Sequence, residues 1–466
     1  MLLRQPWLLL AGSLILLAVL RGTTCCSLAR VREPFAIAWS YDTSGYLETC
    51  GCSARQLGGV AKRATMLSDL RSKQPVLAIE GAHIVEDRGE FQLFKGVVIA
   101  KALKLMHYDV LVFGVREAQQ GAEGLERIEK SAEIPCICAN LSVAGQPWPQ
   151  RSAVVEVAGG KVGITAVSQP ELVQFDMPKG ITFTDPAAAL QQELGRFKHR
   201  VGMRIACLEG EGPWIEEMTK RFAKDADLFL TGNRDSATAA LEFHDNPPWL
   251  NSYKMGQYLG LCTVDPQPGG VRITGSNLPI EDTLADDAAV KELIDKDYKP
   301  QLKQLFYGTF KQQIQQLYMP PEYCADCHKE QYDAYTRSAH ARALRTLSDA
   351  SQLYNPDCMK CHVVYDAKTD DLYAMNCVTC HSDITDQHVY DAVNGKVQPP
   401  AAKATMYTYE WCSRCHDEMN SLPFKEHWPQ YANAIYHGGD FESAKAAAKD
   451  LGLRITALPP PHARKP

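Results

Sequence analysis

Four copies of Cys-x-x-Cys-His stand in the last third of the chain: Cys324-Ala-Asp-Cys327-His328, Cys358-Met-Lys-Cys361-His362, Cys377-Val-Thr-Cys380-His381 and Cys412-Ser-Arg-Cys415-His416. The spacing has a chemical reason. Two thiols three positions apart can each form a thioether to one porphyrin vinyl group, and the adjacent histidine then lies under the ring and binds iron axially. With 16 Cys and 13 His in 466 residues, chance would give roughly 0.02 such pentads. The pattern predicts four covalently attached c-type haems. Cys324, Cys327, Cys358, Cys361, Cys377, Cys380, Cys412 and Cys415 are the attachment points, and His328, His362, His381 and His416 the proximal iron ligands.

Bis-histidine ligation needs one further histidine per haem. His340, His388, His427 and His437 are the candidates for that distal position, and His462 lies beyond them in the tail. Met359 and Met375 are expected to pack rather than to ligate. The count also allows one five-coordinate iron, open to a substrate. Haems at this density lie edge to edge and supply most of the core of a segment too small to bury much side chain.

Two more cysteine pairs lie outside these motifs, Cys50-Gly51-Cys52 and Cys136-Ile137-Cys138. Three readings stand for them. They are structural disulfides of an oxidising compartment, a redox-active pair whose small strained ring makes the disulfide labile, or a soft-metal site. Cys207 and Cys262 read as ordinary buried or paired cysteines.

Elements must position these groups, and composition bounds what the elements can be. The chain is 45% hydrophobic with net charge −6 and no basic block, which supports a conventional core and excludes a nucleic-acid footprint. Residues 1–24 read as a signal peptide or N-terminal anchor: Arg4 precedes an apolar run from Trp7 to Leu20, too short for a comfortable membrane span. Thr23-Thr24-Cys25-Cys26 is a loose match to a lipoprotein cleavage site. The body is therefore expected on the exported side, periplasmic or held at the membrane through its N-terminus.

Residues 33–278 read as α/β. Strand-like runs recur at Phe35–Trp39, Val76–Ile79, Val110–Phe113, Ile134–Ala139, Val162–Val167, Ile205–Leu208 and Leu228–Leu230, with amphipathic helices at Phe94–Met106 and Trp214–Lys224 between them. Asp185-Pro186 opens another helix through Phe197. Residues 279–320 form a helical linker with two apolar stripes that Pro300 separates by breaking the helix. Residues 321–440 are the mostly α, haem-packed tetrahaem domain, and residues 441–466 a tail.

Two resemblances refine this outline. From Cys324 through Ser338-Ala339-His340-Ala341, Pro356-x-Cys358 and Cys412-x-x-Cys415-His416, the C-terminal segment resembles the cytochrome c-554 family. That implies stacked haem pairs with His340 as an axial ligand. The N-terminal region resembles the metallophosphoesterase domain of the periplasmic 5′-nucleotidases, which implies an α/β/β/α sandwich. The resemblance is carried by Tyr41–Glu48, Gln56–Ala64, Val76–His83, Tyr108–Val110, Gly114-Val115-Arg116-Glu117, Cys138–Leu141 and Gly256–Gly260.

Against that family, Ser44 stands for a metal-binding His, His83 or Glu80 for the bridging Asp, and Val115-Arg116 for Asn-His. Gly232-Asn233-Arg234-Asp235 stands for the late Gly-His-x-His. A dinuclear site needs such ligands to hold two cations against phosphate, so their loss argues against phosphohydrolase activity.

The two regions together resemble the multihaem c-type cytochrome (seleno)proteins of selenite/tellurite reduction operons, which would make Cys50 and Cys52 the leading redox pair. The expectation is an exported tetrahaem protein that exchanges electrons with a Cys50/Cys52 site, reduces a small oxyanion, and meets redox partners such as other cytochromes or quinol-linked donors. A pure electron conduit whose N-terminal domain only docks partners is the alternative. A 5′-nucleotidase with a haem appendage is the reading least favoured.

Overall fold

The computed structural model describes residues 30–49, 57–173, 177–232, 243–252, 255–314, 320–381, 394, 409–416 and 424–435. The chain divides into two compact units, one running through Asp295 and one from Lys296 onward. The expected linker 279–320 is thus divided between them.

Among the described residues, the first unit is built on fifteen strands. They are β1 (Phe35–Ser40), β2 (Val76–Glu80), β3 (Val110–Val112), β4 (Cys136–Ile137), β5 (Leu141–Val143), β6 (Gln146–Pro147), β7 (Ser152–Val157), β8 (Gly160–Ser168) and β9 (Ile181–Phe183), followed by β10 (Met203–Glu209), β11 (Leu228–Gly232), β12 (Phe243–Asp245), β13 (Pro248–Asn251), β14 (Tyr258–Gln267) and β15 (Gly270–Pro279). Two six-stranded sheets carry the architecture, in the orders β15-β14-β1-β2-β3-β4 and β12-β13-β11-β10-β8-β7. β1 to β4 run parallel, as do β8, β10, β11 and β13. Antiparallel strands form both edges of the second sheet and the β14–β15 edge of the first.

Period-two alternation explains how the sheets stack. Ile37 and Trp39 of β1, Ile79 of β2 and Val110 of β3 share one core with Ile164, Ile205 and Leu230 of the other sheet. Trp39 also donates its indole N–H across the layers to the Thr231 carbonyl at 3.1 Å. The alternate residues Ala36, Ala38 and Ala78 are small and fully buried, which leaves room for the helices Val60–Arg71 and Glu90–Leu105 on the outer face. Leu190, Leu194, Ile215 and Met218 cover the other outer face against Leu208 and Phe229. The result is the expected α/β/β/α sandwich. The Asp185 cap is also as expected: its carboxylate accepts the Ala187 and Ala188 N–H groups at 2.8 and 3.2 Å.

The described residues of the second unit are mostly helical. Its described elements include the helices Lys329–Arg337, Ala343–Asp349, Pro356–His362 and Phe424–Ile435, and a single hairpin pairs Val363–Asp366 with Asp371–Ala374. Its apolar clusters are small, the largest centred on Phe306, Ile314, Leu347, Met359, Val363 and Tyr365. Pro300 does not break the helix as expected. A π-helical turn, Ile294–Tyr298, leads directly into the helix Lys299–Leu305, with Pro300 in its first turn, where a missing N–H is tolerated. Among the described residues, no helix is long and apolar enough to cross a membrane.

Candidate functional site

Parallel strands deliver their carboxyl ends to one edge of a sheet, and in this sandwich both sheets do so together. β1 ends into Asp42, β2 into His83, β3 into Gly114 and Glu117, and β10 in Glu209 itself. The His83 imidazole sits at the centre and is 7% exposed. Its Nε2 lies 2.6 Å from Glu209 Oε1, and its Nδ1 lies 3.6 Å from Asp42 Oδ1. The second distance is an ion-pair contact rather than a hydrogen bond, and Nδ1 has no hydrogen-bond partner.

The carboxylates are themselves held. Glu209 accepts the Val115 N–H at 3.0 Å. Glu117 accepts the N–H groups of Gly114, His83 and Ile84 at 3.0, 3.2 and 2.8 Å. Asp42 accepts the Ser44 hydroxyl at 2.6 Å and the Met255 N–H at 3.3 Å.

Backbone strain marks the same place. Asp42, Ser44 and His83 have φ of 57°, 46° and 68°, a left-handed conformation that costs a non-glycine residue on the order of 1–3 kcal/mol and clusters at functional sites. Hydrogen bonds between the two strand ends hold it: Ser44 N–H reaches the His83 carbonyl at 2.7 Å and Asp42 N–H the Ala82 carbonyl at 3.1 Å.

Burial opposes a charge on His83, but the contacts and negative charges of Asp42 and Glu209 outweigh it and push its pKa up to about 9. The imidazole is therefore a cation at neutral pH. Burial likewise works against the charge of Glu209, yet the bond to His83 brings its pKa below the ordinary carboxylate value. Glu117 moves the other way, raised by burial.

The sequence left open whether Glu80 or His83 takes the place of a bridging carboxylate. The structure assigns His83. Glu80 projects to the opposite face of β2 from Ile79, toward the helix Val60–Arg71. There it receives Arg63 Nη1 at 3.0 Å and the hydroxyls of Thr43, at 2.5 Å, and Ser40. Arg63 and Glu80 are both buried, at 1% and 0% side-chain exposure.

Sequence reasoning passed over Glu209 and Arg63. The usable signal for Glu209 was an acidic residue ending an apolar strand immediately before Gly210. For Arg63 it was a charge on the apolar face of a helix.

The second unit brings several of the haem-motif residues together. The Cys324 and Cys377 thiols hydrogen-bond one another, and Cys361 Sγ lies 4.0 Å from the Arg414 carbonyl. Neither Cys136 nor Cys138, nor any described cysteine of the four motifs, is in a disulfide. His340 and His416 lie with ring centroids 6.0 Å apart and planes tilted by 59°. Two imidazoles on one iron stand about 6 Å apart by centroid, given metal–nitrogen bonds of about 2 Å. Burial pulls the His340 pKa down, with His362 adding to the effect, which favours the neutral ring that ligation requires. His362 Nδ1 lies 3.2 Å from the Ala343 carbonyl. That bond places the proton on Nδ1 and the lone pair on Nε2, as in metal-bound histidines. These residues fit a c-type haem.

His416 stacks on Phe424 at 4.3 Å. His328 is exposed, while His381 and His427 are half-buried. His388 and His437 lie outside the described residues, as do Cys50 and Cys52. Cys136 and Cys138 are free and buried, at 1% and 0% exposure. Burial raises both thiols, Cys138 to about 12 with the Glu209 charge adding to the effect, so each is a protonated thiol at neutral pH.

Comparison with known proteins adds two findings. The family described as cytochrome c554 and c-prime matches residues 323–389. The rat 5′-nucleotidase is 25% identical over 273 residues, covering 52% of this chain and 47% of its own length, and the human 5′-nucleotidase is 24% identical over 321 residues, covering 59% and 55%. The chain thus spans about half the length of these curated relatives. Among solved structures, a 5′-nucleotidase precursor from Thermus thermophilus superposes with TM-score 0.50 at 17% identity, covering 58% of this chain and 59% of its own. That likeness shows the fold: a 5′-nucleotidase-like metallophosphoesterase domain.

These likenesses correct two expectations. The matched relatives are 5′-nucleotidases, which favours the nucleotidase reading over an electron-transfer protein built around a Cys50/Cys52 site or an N-terminal dock. The expectation against phosphohydrolase activity falls with it. That expectation equated the loss of metal ligands with the loss of hydrolysis. It left out Glu209 and gave no weight to Asp42 and Glu117, which the fold still gathers at the strand ends.

Proposed function

We propose that the first unit is a phosphohydrolase of the 5′-nucleotidase type, acting on a phosphomonoester such as a nucleoside 5′-monophosphate at the carboxyl ends of its parallel strands. The observation that carries this reading is the Asp42–His83–Glu209 cluster, placed at the strand ends of a nucleotidase-like sandwich and strained at two of its three members.

Hydrolysis breaks the bond from phosphorus to the ester oxygen, forms one from phosphorus to a water oxygen, and needs a proton on the departing alkoxide. His83 is the group placed to give that proton, because it is charged at neutral pH and held on both sides by carboxylates. Asp42 and Glu209 position the imidazolium, and the proton given up by the attacking water restores its charge after turnover. The described residues do not fit the two metal ions that a metallophosphoesterase implies, because Ser44, Val115 and Arg116 stand at ligand positions and the His83 ring stands between Asp42 and Glu209.

The second unit carries four c-type haems in this proposal, in a helical domain packed around them. They are held by the eight motif cysteines, with His328, His362, His381 and His416 as proximal ligands and His340 as the distal partner of His416. The iron of a bound haem supplies a redox-active centre. Export of the body, which covalent haem attachment calls for, belongs to the same reading. The resemblance to multihaem selenite/tellurite-operon proteins is carried forward for its pairing of domains alone.

The test is release of inorganic phosphate from a nucleoside 5′-monophosphate by the purified full chain and by His83→Asn. Release by the wild type, lowered about 10²-fold in kcat by the substitution, supports the reading. No release above a buffer blank refutes it, and release unaffected by the substitution refutes the role of His83.

A further inference from the structure

Four acidic side chains, Asp42, Glu80, Glu117 and Glu209, are buried near the carboxyl ends of the strands, with exposures of 2%, 0%, 0% and 3%. Buried carboxylates need compensating charge or hydrogen bonds. In a metallophosphoesterase the divalent ions provide that charge, and the ligands are arranged to offer lone pairs toward them. Here protein donors and protein cations lie against these carboxylates.

Glu209 is engaged by His83 and the Val115 N–H, and Glu117 by three backbone N–H groups. Glu80 is engaged by Arg63, Thr43 and Ser40, and Asp42 by Ser44 and Met255 with His83 beside it. The His83 ring stands between Asp42 and Glu209, in the space a shared cation would need. Among the described residues, no grouping of three or more His, Cys, Asp and Glu side chains is placed to hold a metal ion.

We propose that the protein closes this cluster with its own cations. The His83 imidazole between Asp42 and Glu209, and the Arg63 guanidinium on Glu80, take the positions in the charge balance that divalent ions hold elsewhere in the fold family. The strand-end cluster therefore binds no divalent ion of its own. The substitution acts at two separate points. His83 neutralises the face toward the second sheet, and Arg63 reaches Glu80 from the helix side while spanning to the Thr43 hydroxyl at 3.0 Å. A cation entering between Asp42 and Glu209 would have to displace a buried positive ring.

This inference stands on the fold and the contacts, not on the hydrolytic activity, and the two are tested separately. The purified full chain is titrated with Mn2+ while the EPR signal of the free ion is followed at room temperature. Mn2+ is chosen because, as a hard cation, it discriminates against cysteine thiolates and reports on oxygen donors. The expected result is less than about 0.1 Mn2+ bound per chain at 100 μM, with His83→Asp, which exchanges the ring for a carboxylate, binding about one.

Stoichiometric binding by the wild type that Asp42→Asn removes would overturn the proposal. So would a folded His83→Asp variant that binds no more Mn2+ than the wild type. The wild-type titration needs no variant to fold. Phosphate release is then measured with and without EDTA. Activity that persists in EDTA supports the closed cluster, and activity that EDTA abolishes and Mn2+ restores overturns it. Absence of activity together with absence of Mn2+ binding leaves the inference standing and removes the hydrolase reading.

Discussion

At the residue scale, most of the local chemistry of the first unit converges on His83. An imidazole with Glu209 at 2.6 Å on one nitrogen and Asp42 at 3.6 Å on the other is both a proton donor and a structural cation, and the two roles give different pH signatures. Its folded pKa of about 9 lies above the ordinary 6.5. The stabilisation it brings is therefore fully present below about pH 6.5 and lost as pH rises through about 9. Chemical denaturation from pH 6 to 10 should show stability falling across that window in the wild type, with the slope flattened in His83→Asn. In the second unit, His340→Ala should leave the covalent haem content unchanged and convert one low-spin haem to high spin by EPR. An unchanged low-spin count would show that His340 does not face His416 across an iron.

At the element scale, the strand ends work because particular residues permit close approach. A Cβ on Gly114 would fall onto the Glu209 carboxylate and the Ala82 methyl group, so Gly114→Ala should shift Glu209 away from His83 and Val115. A fall of about tenfold in phosphate release with little change in KM is the expected outcome in steady-state kinetics. The Arg63–Glu80 pair ties the helix Val60–Arg71 to β2. Glu80→Ala leaves a buried guanidinium without its carboxylate and should cost about 3–5 kcal/mol in urea denaturation.

Much of this level was legible in the sequence, because buried parallel strands read as continuous apolar runs and Asp185-Pro186 is a local signal. The β14–β15 hairpin was not. Tyr258–Gln267 and Gly270–Pro279 carry Thr, Asp, Arg, Ser and Asn on a half-exposed sheet edge, so no apolar run announces them. The choice between Glu80 and His83 depended on which face of β2 its last residue, Glu80, leaves from, and on where the chain beyond it places His83. Glu80 alternates with Ile79 and so turns away from the core between the sheets, toward Arg63. His83, three residues beyond the end of β2 and at φ 68°, turns instead toward Asp42 and Glu209.

At the scale of the whole molecule, two kinds of information were unequal. The four Cys-x-x-Cys-His pentads stand out in the sequence because each is a run of five adjacent residues, whereas the strand-end cluster assembles residues 42, 83, 117 and 209, which only the fold brings together. Lost family motifs therefore spoke louder in the sequence than the retained acidic groups did. The haem reading is checked by the pyridine haemochrome absorbance of the purified chain, expected to give four haems per polypeptide, with Cys358→Ser/Cys361→Ser giving three.

The hydrolase reading rests most directly on one assay: inorganic phosphate released from a nucleoside 5′-monophosphate by the purified, fully haem-loaded chain at pH 7. Release that saturates with substrate and falls about 10²-fold in His83→Asn is the predicted result. Release indistinguishable from the buffer blank, with the protein folded and its haems attached, would contradict it.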